Sequence, residues 1–305
     1  MKITNLLIAA TVFGAMTLTT VIAQKAAKAP APTTRPASKV VATIGKVSIT
    51  SDRLKTAMQR MRTNSKAQAL DQLITQELIE AYVRAVPCTD KDIDAWKTKM
   101  TAELKASKQG TLEEFMAKRK IPKEEIPQIV RFEKLNKLAM DAASADAISA
   151  FTKANPTYFD GTEVQASHIL MSCGPGAGTT QRAEIRKQLE QIASDIKADK
   201  VKFADAAKKH SKCPSGAKGG DLGSFAFHRM VTPFSQTAFG MKVGDVSGIV
   251  ETQFGFHIIK VTKQTAGSGK VGPNAQQIAK QTLLGNFRDK IVAEARKSNP
   301  VTIVQ

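Results

Sequence analysis

The stretch Cys213-Pro214-Ser215-Gly216-Ala217-Lys218-Gly219-Gly220-Asp221-Leu222-Gly223-Ser224-Phe225 is the most informative segment of this 305-residue chain. It lies between two strand-like segments, Val164-Gln165-Ala166-Ser167-His168-Ile169-Leu170 and Gly255-Phe256-His257-Ile258-Ile259-Lys260. Each strand-like segment places one histidine inside an apolar run, and the glycine-rich loop carries a single cysteine. Three such segments in a fixed order are far more specific than one glycine-rich loop. We therefore treat them as parts of one domain.

The residues around these segments predict a small α+β domain. From Glu163 the apolar period is that of a strand, and it then changes to that of a helix. The elements that follow are a helix carrying Ile185, Leu189, Ile192 and Ile196 on one face, a short helix over Phe203 to His210, a strand over Leu222 to Phe225, a helix over Thr232 to Phe239, and strands over Val246 to Glu251 and Gly255 to Thr262. The order β-α-α-β-α-β-β predicts one sheet with helices packed on it.

The three segments resemble the parvulin family of peptidyl-prolyl cis-trans isomerases, over the span from Thr162 to Lys263. The resemblance implies that His168 and His257 lie beneath an active site, hydrogen-bonded to each other and to the hydroxyl of Thr252. It gives these three residues an orienting and pKa-tuning role, not direct proton transfer. Without the resemblance, two histidines in apolar strands would indicate a structural hydrogen-bond network.

Cys213 matches the position at which parvulins carry Cys or Asp facing the substrate amide. A thiolate or polarised thiol there would perturb the amide carbonyl electrostatically, and isomerisation needs no covalent attack. The alternative interpretation is a small buried hydrophobic residue, as for many free cysteines. With His168, Thr252 and His257, Cys213 completes the expected catalytic group.

The resemblance also implies an apolar slot for the proline ring of the substrate. Leu222, Met230 and Phe234 stand where parvulins place their proline-pocket residues, and Gln253 and Phe254 are expected at the pocket rim. Spacing alone would make the first three ordinary core residues. The match of the segment around Met230 and Phe234 to the family pattern favours the pocket.

The loop after the first strand, Met171 to Gly178, departs from one group of parvulins. Those that require phosphorylated Ser or Thr before proline carry a basic cluster in this loop, and here the loop has no basic residue. We therefore expect no phosphate requirement. Arg182 lies beyond the loop, and we expect it to be a solvated helix residue.

The residues before Asn155 predict a mostly helical domain. Apolar residues recur at three- and four-residue spacing, as in Leu70, Leu73, Ile74 and Leu78. At the other end of the chain, Ala275 to Lys297 predicts a helix and Val301 to Val304 a strand, which are too small to fold alone. We expect both to pack on the N-terminal helices, with the last strand pairing near Val40 to Ile44.

This arrangement resembles the SurA and PrsA class of exported folding factors, in which a parvulin domain is inserted into a mostly helical chaperone-like domain. The expected parts are a signal peptide over 1–23, a disordered linker over 24–38, the helical domain over 39–160, the parvulin domain over 161–265, and a C-terminal helix and strand over 266–305 that pack on the helical domain. We expect the helical domain to form the cradle that binds unfolded clients.

The apolar run from Ile3 to Ala23 predicts an export signal. It follows Lys2 and ends with small or β-branched residues where a signal peptidase cleaves. A retained membrane anchor is the alternative, because the run is about long enough to span a bilayer. Five threonines, an asparagine and a glycine dilute the run and favour cleavage. We therefore expect no stable membrane span after cleavage and a location in the periplasm or cell envelope, or outside the cell.

Charge and cysteine content narrow the function classes. The formal net charge is +18, but the basic residues are spread along the chain and aromatic residues make up only 5% of it, which argues against a nucleic-acid partner. The three cysteines are too few for a disulfide framework, and no CxxC motif or metal-ligand spacing of histidines occurs. A pair between Cys88 and Cys173 stays open for an oxidising compartment. We expect neither a metal nor a cofactor.

The leading hypothesis is an exported peptidyl-prolyl isomerase that acts on Xaa-Pro bonds of unfolded or nascent exported polypeptides. The alternative is a holdase chaperone with an inactive or weakly active parvulin domain, and Pro214 directly after Cys213 keeps that alternative open. The third hypothesis is a basic envelope-surface or nucleic-acid-binding protein, which would show steep salt dependence of binding and no dependence on peptide sequence.

Overall fold

A computed structural model describes residues 38–174 and 177–304 of the chain. The predicted signal peptide and all but the last residue of the predicted linker lie outside these residues. Within the described ranges, none of the helices combines the length and the apolar character that crossing a membrane requires.

A hairpin and six helices form the chain between residues 38 and 160. Side chains of Thr50, Ser65 and Thr111 each accept a backbone N–H in the first turn of the helix that follows them, and Thr111 forms a capping box with Glu114. Pro127 stands in the first turn of its helix, where no N–H is needed. The elements are β1 Val40–Ile44, β2 Val47–Thr50, α1 Ser51–Met61, α2 Lys66–Ala85, α3 Asp90–Ala106, α4 Leu112–Lys118, α5 Ile126–Ala142 and α6 Ala145–Ala154.

The end of the chain returns to this helical part. It consists of α10, Ala275–Ser298, and β7, Val301–Ile303. Strand β7 pairs antiparallel with β1, so that Val301 lies opposite Ile44 in a sheet of order β2-β1-β7. Ala295 and Val301 are buried in one cluster with Leu73 and Leu78 of α2. In the structure, the last helix and strand therefore pack on the N-terminal part.

Between these two parts lies the domain that the sequence patterns predicted, with the order β-α-α-β-α-β-β. Its four strands form an antiparallel sheet of order β4-β3-β6-β5. The elements are β3 Glu163–Ser172, α7 Thr179–Lys197, α8 Phe203–His210, β4 Asp221–Ala226, α9 Thr232–Phe239, β5 Val250–Thr252 and β6 Gly255–Thr265. The fold class is therefore α+β, with this domain inserted into a largely helical remainder.

The two faces of the sheet are covered by different helices. Ile169 of β3 and Ile258 of β6 pack with Leu189 of α7 and Phe203 of α8. On the opposite face, side chains of β3 and β6 pack with those of α9, including Phe234. The alternation of strand side chains therefore sends the even-numbered residues of β3 towards α9.

Strand β5 is shorter than predicted. The sequence predicts a strand over Val246 to Glu251, whereas the structure has β5 over Val250–Thr252 and only an isolated bridge between Val246 and Lys260. The hydroxyl of Ser247 accepts the backbone N–H of Ile259 at 2.9 Å, where a strand would offer a carbonyl oxygen. A side chain thus replaces the strand backbone at this point.

All three cysteines lie in the described residues and are free. Cys88 packs against the cluster around Trp96 in the helical part, whereas Cys173 is buried in the cluster between the sheet, α7 and α8. The disulfide between Cys88 and Cys173 that the sequence left open is therefore not formed.

The closure of the helical part by β7 predicts a contrast between two neighbouring residues. Val301 is 1% exposed and Thr302 is exposed on the same strand. We expect Val301→Ala to lower the free energy of unfolding by about 2 kcal/mol, because it leaves a cavity in the shared core. The matched control Thr302→Ala should change it by less than about 0.5 kcal/mol. Chemical denaturation measures both, and equal effects would contradict the packing of β7 as a core strand.

Candidate active site

A chain of three hydrogen-bonded side chains crosses the centre of the four-stranded sheet. Nδ1 of His168 on β3 lies 3.2 Å from Nδ1 of His257 on β6. Nε2 of His257 lies 2.8 Å from the hydroxyl of Thr252 at the end of β5, and that hydroxyl also accepts the backbone N–H of Phe254. All three side chains are buried. The hydrogen bonds that the resemblance implied between these residues are therefore present.

The tautomers of the two imidazole rings are linked, because a neutral ring has one donor and one acceptor nitrogen. If Thr252 donates its hydroxyl proton to His257, the proton of His257 lies on Nδ1 and is donated to His168. The proton of His168 then lies on Nε2, which is buried and makes no hydrogen bond to the described residues. The reverse order of donation satisfies the same contacts.

Phe234 of α9 lies against both histidine rings. Its ring centroid is 5.6 Å from that of His168 and 5.5 Å from that of His257, with nearly perpendicular rings. The edge-to-face geometry suits the charge distribution of aromatic rings. Leu222 and Met230 are half-buried and pack against the same cluster as Phe234. The structure therefore brings the three predicted pocket residues into one cluster, in which Phe234 contacts the histidine pair.

The loop that carries Cys213 is attached to the free edge of β3. Strand β4 pairs with β3 only as far as Ser167, and beyond it the loop takes over the edge. The backbone N–H of Lys212 donates to the carbonyl of Leu170 at 2.7 Å, and Ser211 accepts the N–H of Leu170 in its hydroxyl oxygen. Leu170 lies opposite His257 in the sheet. Half-buried Cys213 is thus held beside the strand that carries His168.

Gly220 closes the other end of this loop. Its carbonyl accepts the N–H of His168 at 2.9 Å, and its φ is +84°. A Cβ at this position would lie 2.3 Å from the carbonyl oxygen of His168. Both the left-handed backbone and the close approach require glycine. Pro214 stands at the first position of a short 3-10 turn after Cys213, which needs no N–H there.

The predicted rim residues Gln253 and Phe254 form the turn between β5 and β6. Both are exposed, and the backbone of Phe254 is held from two sides. Its N–H donates to Thr252, and its carbonyl accepts the N–H of Cys173 at 3.1 Å. The turn is therefore tied to the hydroxyl that contacts His257.

The family model described as a PPIC-type peptidyl-prolyl isomerase (rotamase) domain matches residues 168–263. A curated relative from Malus domestica, "Peptidyl-prolyl cis-trans isomerase Pin1", is 39% identical over 115 residues, which cover 33% of this chain and 95% of that protein. The chain belongs to the parvulin family of peptidyl-prolyl isomerases.

Two further relatives are similar to this parvulin, and one of them matches most of the chain. "Foldase protein PrsA" of Bacillus subtilis is 28% identical over 238 residues, which cover 77% of this chain and 71% of that protein. "Putative peptidyl-prolyl cis-trans isomerase SurA" of Haemophilus influenzae is 45% identical over 104 residues, which cover 33% of this chain and 32% of that protein. The similarity to PrsA therefore includes residues outside the parvulin domain.

Arg182 of the parvulin domain does not lie in solvent as we expected. It is 9% exposed, donates to the carbonyl oxygens of Cys173 and Gly174, and pairs with Glu251. The prediction was wrong because the arginine is in the first turn of α7, where the helix faces the end of β3.

Sequence reasoning also missed Ser211, which anchors the Cys213 loop of this parvulin. Its hydroxyl oxygen accepts the backbone N–H groups of both Leu170 and Cys213. A serine two residues before a turn is a recognisable local signal, since its side chain can accept a nearby N–H. Its bond to a distant strand carries no such signal.

Burial keeps both histidines of the parvulin site neutral. It lowers the pKa of His168 to about 4. Burial, and next the proximity of His168, lower the pKa of His257 to about 4 as well. Neutral rings are needed for the linked donor and acceptor roles, because a doubly protonated ring is only a donor. Among the described residues, no group of three His, Cys, Asp or Glu side chains is arranged to hold a metal ion.

The two lowered pKa values predict how stability depends on pH. Histidine has a pKa near 6.5 in an unfolded chain, so the unfolded state takes up protons first as the pH falls from about 6.5 to about 4. Stability is fully present above this window and is lost within it, by roughly 2 to 3 kcal/mol for each histidine. Chemical denaturation at a series of pH values measures the slope.

The double variant His168→Gln/His257→Gln should lose most of this slope, while the control His228→Gln, at an exposed position, should keep it. A double variant with the slope of the wild type would show that other groups cause the acid loss.

Proposed function

We propose that this parvulin is exported and isomerises Xaa-Pro bonds of unfolded or nascent exported polypeptides without requiring phosphate. The observation that carries the proposal is the contact of Phe234 with both rings of the histidine pair. This contact joins the apolar cluster that includes Leu222 and Met230 to the hydrogen-bonded, neutral residues beneath it, which we call the floor of the site. An apolar slot above such a floor fits a proline ring.

No covalent bond is made or broken in prolyl isomerisation. The barrier to rotation about the peptide bond is ~18–20 kcal/mol, and it comes from conjugation of the amide. A site accelerates the rotation by binding the twisted amide better than the planar one. Fixed dipoles aimed at the rotating carbonyl supply that preference without moving during the reaction.

In this proposal each group of residues has a separate task. Leu222, Met230 and Phe234 hold the proline ring, and Gln253 and Phe254 form the rim. Cys213 faces the substrate amide and perturbs its carbonyl electrostatically. His168, Thr252 and His257 form the floor of the site, and their hydrogen bonds fix its orientation.

The loop after β3 supports the absence of a phosphate requirement. It carries no basic residue, and the nearest arginine along the chain, Arg182, is already bound to backbone carbonyls and to Glu251.

Export and clients are supported by the sequence before residue 38 and by two relatives. The apolar run Ile3 to Ala23 has the composition of a signal peptide. The relatives from Bacillus subtilis and Haemophilus influenzae carry the names PrsA, a foldase, and SurA, an isomerase. On this basis we assign unfolded exported chains to this protein as its clients.

A cavity in the helical part favours the second candidate function, a holdase. It has a volume of about 630 Å³ between α3, α4 and α5. Apolar side chains of Ile93, Leu112 and Met116 line it, with Lys97 at its edge. Such a cavity suits an apolar side chain of an unfolded client.

We expect the mature protein to accelerate cis-trans exchange of an unphosphorylated Xaa-Pro peptide, measured by exchange NMR. Cys213→Ala and Met230→Ala should each lower kcat/KM by about tenfold, because they remove the group facing the amide and one wall of the slot. A phosphorylated Ser-Pro peptide should react no faster than its unphosphorylated form.

Matched controls are Cys88→Ala and Met140→Ala, which change the same residue types in the helical part and should keep wild-type activity. Folded protein that gives no acceleration but prevents aggregation of an unfolded client would favour the holdase. A preference of tenfold or more for the phosphopeptide, taken as an order-of-magnitude limit, would refute the absence of a phosphate requirement.

Export predicts cleavage after Ala23. N-terminal sequencing of protein recovered from the cell envelope should begin at Gln24, because Ala23 and Val21 stand where a signal peptidase reads small or β-branched residues. The control Ala23→Tyr should block cleavage. An uncleaved wild-type chain held in the membrane fraction would identify the run as an anchor.

A further inference from the structure

Arg182 ties together three strands at one end of the parvulin sheet. Its Nη1 donates to the carbonyl oxygens of Cys173 and Gly174 just beyond β3, each at 3.1 Å. Its Nη2 donates to the carboxylate of Glu251 on β5. The guanidinium carbon also lies 5.0 Å from the ring centroid of Phe256 on β6. The planar fork of arginine makes these contacts in different directions at once.

The bond to Glu251 places Arg182 one residue from the hydrogen-bonded chain. Thr252 follows Glu251 directly, and its hydroxyl lies 2.8 Å from Nε2 of His257. Because the two residues share a short strand of three residues, fixing Glu251 limits how far the Thr252 hydroxyl can move.

A second connection reaches the same turn through the backbone of Cys173. The carbonyl of Cys173 accepts from Arg182, and its N–H donates to the carbonyl of Phe254. A Cβ on Gly255 would lie 2.2 Å from the carbonyl oxygen of Met171, so the turn is packed directly on the end of β3. Arg182 therefore holds the Thr252 to Gly255 turn from two sides.

We propose that Arg182 is a positioning residue for isomerisation, which holds the Thr252 turn against β3 and so fixes the alignment of Thr252, His257 and His168. The inference rests on the proposed function. The contacts of Arg182 do not include the slot residues Leu222, Met230 and Phe234, although the turn that it holds carries the rim residues Gln253 and Phe254. Its loss should therefore affect the chemical step more than substrate binding.

The helical part supports the loop that Arg182 grips. Gly174 lies against Asp71 of α2. A Cβ added to Gly178 would lie 3.3 Å from the carbonyl oxygen of Val301 on β7. Burial and, next, the charge of nearby Arg182 lower the pKa of Arg296 on α10 to about 10. Gly174 and Gly178 are thus confined between Arg182 and the helical part.

The test compares full-length wild type and Arg182→Gln by exchange NMR on an unphosphorylated Xaa-Pro peptide. We expect kcat to fall about five- to tenfold, with KM changed by less than about twofold. We also expect the ring ¹⁵N resonances of His168 and His257 to shift or broaden, because their linked tautomers lose alignment. Arg182→Lys should recover only part of kcat, since one ammonium group cannot reach both carbonyls and the carboxylate.

The matched control is Arg186→Gln, one turn further along α7, which removes the same charge. Arg186 pairs with Glu190 on the surface, and both side chains are 52% exposed. Its substitution should leave kcat and the histidine resonances at wild-type values. A purely structural role for Arg182 would lower the melting temperature of Arg182→Gln and leave kcat and the ring resonances unchanged, which would overturn the inference.

Glu251→Gln keeps the proposal testable if Arg182→Gln does not fold. The Glu251 side chain is 53% exposed, so its neutral form is tolerated, and the bonds of Arg182 to Cys173 and Gly174 remain. We expect kcat to fall about threefold, and wild-type kcat with unshifted rings would overturn the inference. An inactive wild type would instead refute the proposed function, whereas an active wild type beside an unaffected Arg182→Gln refutes this inference alone.

Discussion

The antiparallel register between β3 and β6 is the constraint on which the parvulin site depends. Leu170 lies opposite His257 and His168 lies opposite Ile259, so the two histidines are diagonal neighbours on one face. A slip of one residue would send one ring to the opposite face, among the side chains that pack on α7 and α8. The hydrogen bond between the rings, the bond to Thr252 and the contacts with Phe234 all follow from this register.

Burial of the histidines and close approach of the backbone around them determine the chemical properties of the site. Desolvation lowers the pKa of both histidines, so the chain of hydrogen bonds remains a chain of neutral dipoles. Gly220 and Gly255 let the flanking loop and turn approach β3 within distances that a Cβ would block. Arg182 links the end of β3 to β5 through its bonds to Cys173, Gly174 and Glu251. These contacts hold the dipoles of the site in the arrangement that the proposed function needs.

The elements of the parvulin domain were predictable because their signals are local. The apolar period located β3, α7, α8, α9 and β6, and the glycine-rich loop marked the segment between α8 and β4. The ends of β5 were not predictable, since the hydroxyl of Ser247 replaces a strand carbonyl there. The prediction for Arg182 was wrong because its partners do not show in a local pattern. Glu251 on β5 is distant in sequence from α7, and no local signal shows that Arg182 turns back to Cys173 and Gly174 at the end of β3.

The sequence by itself determined the fold class and the order of the elements, because apolar periodicity and glycine spacing are properties of neighbouring residues. The residues proposed for the site came from the resemblance to parvulins. The tertiary structure alone decided which nitrogen of His168 meets His257, how the Cys213 loop is held on Leu170, and that Arg182 is a buried clamp. Those features depend on strand register and on contacts between residues far apart in the chain. No local pattern records such distances, and packing sets them.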